Sequence, residues 1–146
     1  MAFIAASFLS ALAIHHHAIA LLDCLLPKLR ASAWALAPLV WVEQGRVAIG
    51  DPIAEWLQAS LSLVLIGERP GLTSPDSLGA YLTWSPAAGK TDAERNCISN
   101  IRSEGLAYGH AADRIFNLMT ESRTRRLSGV ALKEAARPSI SPSREM

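Results

Sequence analysis

LVLIGERPGL, residues 63–72, passes from four aliphatic side chains directly into Gly67-Glu68-Arg69-Pro70-Gly71. The apolar run, Leu61 to Ile66, is too short for an ordinary helix and reads as a strand covered on both faces. Gly67 is expected to end it. Pro70 fixes its own φ and Gly71 tolerates positive φ, which predicts a tight turn over Arg69 to Gly71 that holds Glu68 and Arg69 at the carboxyl edge of a sheet. In open α/β folds that edge is where ligands bind.

Upstream, Leu36 to Val42 is β-branched enough for a strand, Gly45 to Val47 turns, and Gly50-Asp51-Pro52 reads as a helix start, with Asp51 as N-cap and Pro52 at the first helical position. That helix runs through Ile53, Leu57 and Ala59 to the strand at Leu61, a β-α-β order. Further back, Ser10 to Leu29 places Ile14, Ala18, Leu21, Leu22, Leu25 and Leu26 near helical spacing, with Pro27 as an interruption. Downstream, Tyr81 to Trp84 reads as a short strand, and Thr91-Asp92-Ala93-Glu94 fits a capping box that should open a helix. Ala111, Ala112, Ile115, Leu118 and Met119 form the stripe of an amphipathic helix. Arg123, Arg125 and Arg126 lie near its negative end, and Gly129 stops it. Val130 to Leu132 reads as a last strand.

Strands alternating with helices predict an α/β fold of Rossmann-like or flavodoxin-like type, a mainly parallel sheet flanked by helices. Residues 1–133 read as the single folded domain and residues 134–146, rich in Ser and Pro, as a disordered tail.

The chain's 146 residues suit one core, half of them are hydrophobic, and 14 basic residues nearly cancel 13 acidic ones. That balance suggests neither disorder nor a nucleic-acid footprint. Cys24 and Cys97 lie far apart without CxxC or Cys/His spacing, which points to a reducing, cytoplasmic setting and away from a structural zinc site. Met1 to Ile14 is uncharged but lacks a basic n-region, and it reaches His15 before attaining the roughly 18–20 residues of a membrane span. It reads as a chain starting inside a core element, an N-terminal truncation.

His15-His16-His17 invites a metal reading. Consecutive helical side chains point about 100° apart, so the three cannot converge on one ion, and lining an interface or cavity is the better reading. Glu68 and Arg69 could simply pair with each other or with solvent. Their Gly and Pro framing holds a short polar segment in one geometry, and an ionised carboxylate, being acceptor-only, suits a ligand rich in amide N–H donors. Cys97 has no His in its own motif to make it a thiolate, which leaves a buried thiol or a packing contact to a ligand. There is no Ser/His/Asp pattern, GxGxxG or Walker motif, so the sequence offers a binding surface more readily than a catalytic centre.

LVLIGERPGL at 63–72, SPDSLGAYLTW at 74–84 and TDAERNCISNIR at 91–102 together resemble the small (light) subunit of ethanolamine ammonia-lyase. The resemblance extends through HHHAI at 15–19, LLPKLRAS at 25–32, LAPLVWVEQGRVAIGD at 36–51 and LSGVALK at 127–133. It departs at Ser7-Phe8, where the family carries Asp-Gly, and at Ser103, where it carries proline. The family depends on adenosylcobalamin, whose radical chemistry turns ethanolamine into acetaldehyde and ammonia in the barrel of the large subunit. The resemblance therefore implies a carbon-nitrogen lyase subunit active only with that large subunit, in a hetero-oligomer of large/small pairs, cytoplasmic or inside a bacterial microcompartment.

It also implies that Glu68 binds cobalamin, with Val47 and Cys97 as second and third contacts, and that this chain holds no catalytic residue or metal ligand of its own. A degenerate stand-alone α/β binding or interaction domain without lyase activity is the rival. A chain lacking the family's N-terminal region is expected to expose apolar surface.

Overall fold

The computed structural model describes residues 2–7, 14–43, 45–68 and 76–136. Its strands are β1 (Ala2–Ser7), β2 (Val40–Val42), β3 (Leu61–Glu68), β4 (Ser77–Trp84) and β5 (Arg95–Ile101). Its α-helices are α1 (Ile19–Ala31), α2 (Gly50–Trp56), α3 (Tyr108–Arg125) and α4 (Val130–Ala136). A π-helical turn, Ile14–Ala18, leads into α1, and a 3₁₀ turn, Val47–Ile49, leads into α2. The strands form one sheet in the order β2-β1-β3-β4-β5.

That sheet corrects the expected Rossmann-like or flavodoxin-like, mainly parallel architecture. β1 runs parallel to β2 and β3, but β4 runs antiparallel to both of its neighbours, β3 and β5, and these three strands form the body of the sheet. The reason is the length of the connections. Only residues 69–76 join β3 to β4 and only residues 85–94 join β4 to β5, whereas a parallel crossover needs about a dozen or more.

Several local expectations change for equally local reasons. Pro38 cannot donate to a ladder, and of the strand expected over Leu36 to Val42 only Val40–Val42 forms. Pro27 sits inside α1 without ending it, because it lies on the exposed side, where the carbonyl that loses its partner can turn to solvent. Gly67 does not stop β3, which continues until Glu68 pairs with Ser77.

The capping box does form, Thr91 N–H donating to Glu94 Oε2 at 2.7 Å. It closes only the 3₁₀ turn Asp92–Glu94, since Asn96, Cys97, Ile98, Ser99 and Asn100 are weak helix formers and lie instead in β5, where Asn96, Cys97 and Ile98 pair with β4. α3 ends at Arg126, in left-handed conformation, before Gly129 is reached. Gly129, at φ +80°, then opens α4 where a strand was expected, its carbonyl accepting from Leu132 and Lys133. The turn expected over Arg69 to Gly71, Phe8, and the tail from residue 137 lie outside the described residues.

Alternation along β3 sorts the two faces of the sheet. Leu61, Leu63 and Leu65 join Leu78 and Leu82 of β4 under α1 and α3, where Leu21, Leu25, Leu29, Ile115 and Met119 complete an apolar core. This one cluster holds most of the buried hydrophobic area, the main favourable term in folding. His17 closes its end. Its Nδ1 lies 2.7 Å from the Tyr108 hydroxyl and its Nε2 lies 3.1 Å from the Asp76 carbonyl, and burial is the main cause that lowers its pKa from the ordinary value. Its partners are thus protein groups, and among the described residues no group of three or more His, Cys, Asp or Glu is arranged to hold a metal ion. Nor is any helix among the described residues long and apolar enough to cross a membrane.

The opposite face is different in kind. Ser62 and Val64 lie beneath α2, whose first residue, Gly50, packs so closely that an added Cβ would come 2.6 Å from Val64 Cγ2. Asp51 is not the expected N-cap, because the 3₁₀ turn flows straight into α2 and its cap position falls on Ile49. Its carboxylate instead receives the Arg95 guanidinium in a fork, Nη1 to Oδ1 at 2.8 Å and Nη2 to Oδ2 at 2.5 Å. Arg95 also donates to Thr83 Oγ1 at 3.0 Å, and both members of the pair are buried.

Removing one member of a buried pair strands the other charge away from water and costs about 3–5 kcal/mol, whereas replacing both by apolar residues is often neutral. Asp51→Ala is expected to lower the unfolding free energy of the chain, measured by urea titration, by an amount in that range, and Asp51→Leu combined with Arg95→Met to recover most of it.

Candidate functional site

Glu68 is the last described residue of β3 and shares its face with Ser62, Val64 and Ile66, the face that carries α2. On β4, Gly79 stands in register with Ile66 and Tyr81 with Val64. Tyr81 reaches along the sheet toward Glu68, and its hydroxyl donates to Glu68 Oε1 at 2.7 Å. Gly79 supplies the room. A Cβ there would lie 2.6 Å from Glu68 Oε1 and 3.1 Å from Tyr81 Cε2, so any other residue would push the pair apart.

β5 brings in Cys97, directly across from Tyr81 in the ladder. The residue as a whole is exposed, and a cavity of about 280 Å³ at the edge of β5 opens beside it, with Lys133 of α4 and Arg114 of α3 in its lining. Crowding of the sulfur by protein raises the thiol pKa, and the negative Glu68 adds to this, while the Tyr81 hydroxyl and Lys133 act the other way. Burial, then the hydrogen bond to Glu68, then proximity to Cys97 hold the Tyr81 phenol well above its usual range. Both groups therefore keep their protons near neutrality, and neither is an activated nucleophile.

Val47 begins the 3₁₀ turn before α2 and is half-buried. The turn belongs to the same face through Gly50 on Val64. Asp51, four residues on from Val47, grips Arg95, two residues before Cys97, so one buried fork ties together the segments that carry them.

Of the residues singled out in the sequence, the structure joins Glu68 and Cys97 through Tyr81 and places Val47 on their side of the sheet. Arg69 lies outside the described residues. Tyr81, Gly79, Asp51 and Arg95 were not read as parts of a site. A signal for them does exist in β4, where Leu78, Ala80 and Leu82 alternate with Gly79, Tyr81 and Thr83, an apolar face backed by one of glycine and hydroxyls.

A family model described as the ethanolamine ammonia-lyase light chain (EutC) matches residues 1–133. The chain belongs to the ethanolamine ammonia-lyase light-chain family. The ethanolamine ammonia-lyase small subunit of Azotobacter vinelandii is 58% identical over 136 residues, which cover 93% of this chain and 50% of that protein. The subunit of the same name from Pseudomonas aeruginosa is 56% identical over 136 residues, again 93% and 50%. That of Xanthomonas campestris pv. campestris is 55% identical over 139 residues, 94% of this chain and 51% of that protein. The chain thus spans about half the length of the curated relatives it matches.

Because the phenol proton is held more tightly in the fold than in the unfolded chain, this contribution to stability is complete below about pH 10, the ordinary phenol value, and fades as pH rises above it. In a titration followed by the ring Cζ resonance of Tyr81, ionisation is expected above that ordinary value. Glu68→Ala should bring it down part of the way, leaving the part due to burial.

Proposed function

We propose that this chain supplies one wall of an adenosylcobalamin site in an ethanolamine ammonia-lyase, at the interface with a catalytic large subunit. Family membership supports the enzyme. The observation that carries the role of this face is the carboxylate of Glu68, with one oxygen held by Tyr81 and the other without a hydrogen-bond partner among the described residues. A corrin carries a ring of amide side chains around an apolar rim, so it asks a protein wall for acceptors and for packing surface.

The residues present fit that demand. Glu68 is an acceptor seated in a space that the missing side chain of Gly79 leaves open, Val47 offers an aliphatic surface, and Cys97, an exposed residue, a protonated, polarisable sulfur. When bound, the cofactor supplies a carbon radical by homolysis of its cobalt–carbon bond. The residues of this chain bind and orient. Glu68 accepts an amide N–H, Val47 and Cys97 pack, and the Asp51–Arg95 fork fixes the separation between the last two. Tyr81 and Cys97 on this face both keep their protons, which suits a large subunit that provides the chemistry and a small one that covers the cofactor.

Co-expression with a large subunit, purification of the complex and absorbance titration with cobalamin test the reading. Glu68→Ala is expected to weaken binding roughly tenfold or more, the loss that goes with a hydrogen bond to a charged acceptor. Val47→Arg and Cys97→Trp are expected to block the wall sterically. Unchanged titration in all three variants would return the chain to a stand-alone binding domain.

A further inference from the structure

The carboxylate on which the proposed wall depends stands at the very end of a strand, next to a connection rather than inside the ladder. A glutamate so placed has three side-chain torsions to settle, and a ligand that fixes them on arrival loses affinity for doing so. The structure has already fixed them. The Tyr81 hydroxyl donates to Oε1 at 2.7 Å, Gly79 leaves the space in which the carboxylate lies, and the phenol ring is held by the ladder between Val64 and Cys97. Oε2 has no hydrogen-bond partner among the described residues.

We propose that Tyr81 is a positioning residue of the corrinoid wall, which presets the Glu68 carboxylate so that Oε2 is the oxygen offered to a ligand amide. The proposal rests on the corrinoid reading above and adds to it a residue that never needs to touch the ligand. Tyr81 acts through Glu68 alone. The hydrogen bond also biases the approach of a ligand, because Tyr81 occupies one acceptor site of Oε1 and leaves Oε2 the less encumbered oxygen for an N–H donor. The donor proposed is a neutral carboxamide of the ring periphery.

The test is a double-mutant cycle in the complex reconstituted with the large subunit, with hydroxocobalamin as the probe and its visible absorption as the readout. Tyr81→Phe keeps the ring and loses only the hydroxyl. It is expected to weaken binding about five- to tenfold, within the range of one typical hydrogen bond, and to weaken it no further once Glu68→Ala is present. Gly79→Ala, which leaves the hydroxyl in place but drives a methyl group toward Oε1, is expected to reproduce the loss.

A thermal melt of each complex separates unfolding from loss of positioning, and a Gly79→Ala complex that melts early leaves the Tyr81/Glu68 cycle to decide. Equal losses for Tyr81→Phe with and without Glu68, or no loss in either background, would overturn the positioning role while the corrinoid reading stood. If Glu68→Ala itself leaves the titration untouched, the corrinoid reading fails, and the role of Tyr81 falls with it.

Discussion

The fork between Arg95 and Asp51 spans the polar side of the sheet, from the edge strand β5, past Thr83 on β4, to the start of α2 over β3. Both side chains are almost wholly removed from solvent. Two charges in that position cost free energy to desolvate, and only good geometry with further hydrogen bonds offsets it. The geometry here is good. The fork is bidentate, Thr83 accepts one further hydrogen bond and the Lys90 carbonyl another at 3.3 Å, while the buried Nε of Arg95 has no hydrogen-bond partner among the described residues. An arrangement this demanding tolerates one placement of α2 and no sliding, because a shift of a single residue would leave a buried charge alone.

That rigidity matters because the two faces of the sheet are held by different forces. Under α1 and α3, Leu and Ile side chains interdigitate, and many small contacts share the load. α2 is only seven residues long, and the cluster beneath it is built of Ala54 and Ala59 with a few partly buried neighbours. So short an apolar contact cannot fix a helix. The ion pair and the close approach of Gly50 to Val64 do that instead, and the 3₁₀ turn with Val47 is positioned as a consequence.

How much of this was legible in the sequence follows from the range of each interaction. β3 and α3 were readable because their apolar residues repeat over long stretches. The direction of β4 and β5 was not, because alternation records which residues share a face and not which way a strand runs. The short connections carried that information, and they were read as helices or turns. The Thr91–Glu94 box was correctly seen as a cap, yet capping satisfies one turn and says nothing of the next. Asp51 was taken for a cap because a carboxylate near a helix start looks the same whether it faces a backbone amide or an arginine 44 residues away. Glu68, Val47 and Cys97 came from a family resemblance, whereas Tyr81, which stands between two of them, becomes visible only once β3, β4 and β5 lie side by side.

The chemistry of the exposed part of this face favours holding over reacting. A nucleophile or general base must give up or take a proton near neutral pH. Here the phenol and the thiol are both shifted upward, away from that range, and for the same first reason, loss of water around them. Each rise is reinforced by Glu68, so the carboxylate that could have made a base of its neighbours instead locks their protons in place. What remains is a fixed acceptor beside a neutral hydroxyl and a neutral sulfur on a stiff sheet. Such a surface changes little when a neutral, amide-rich ligand arrives, which is the constancy that the proposed corrinoid wall requires.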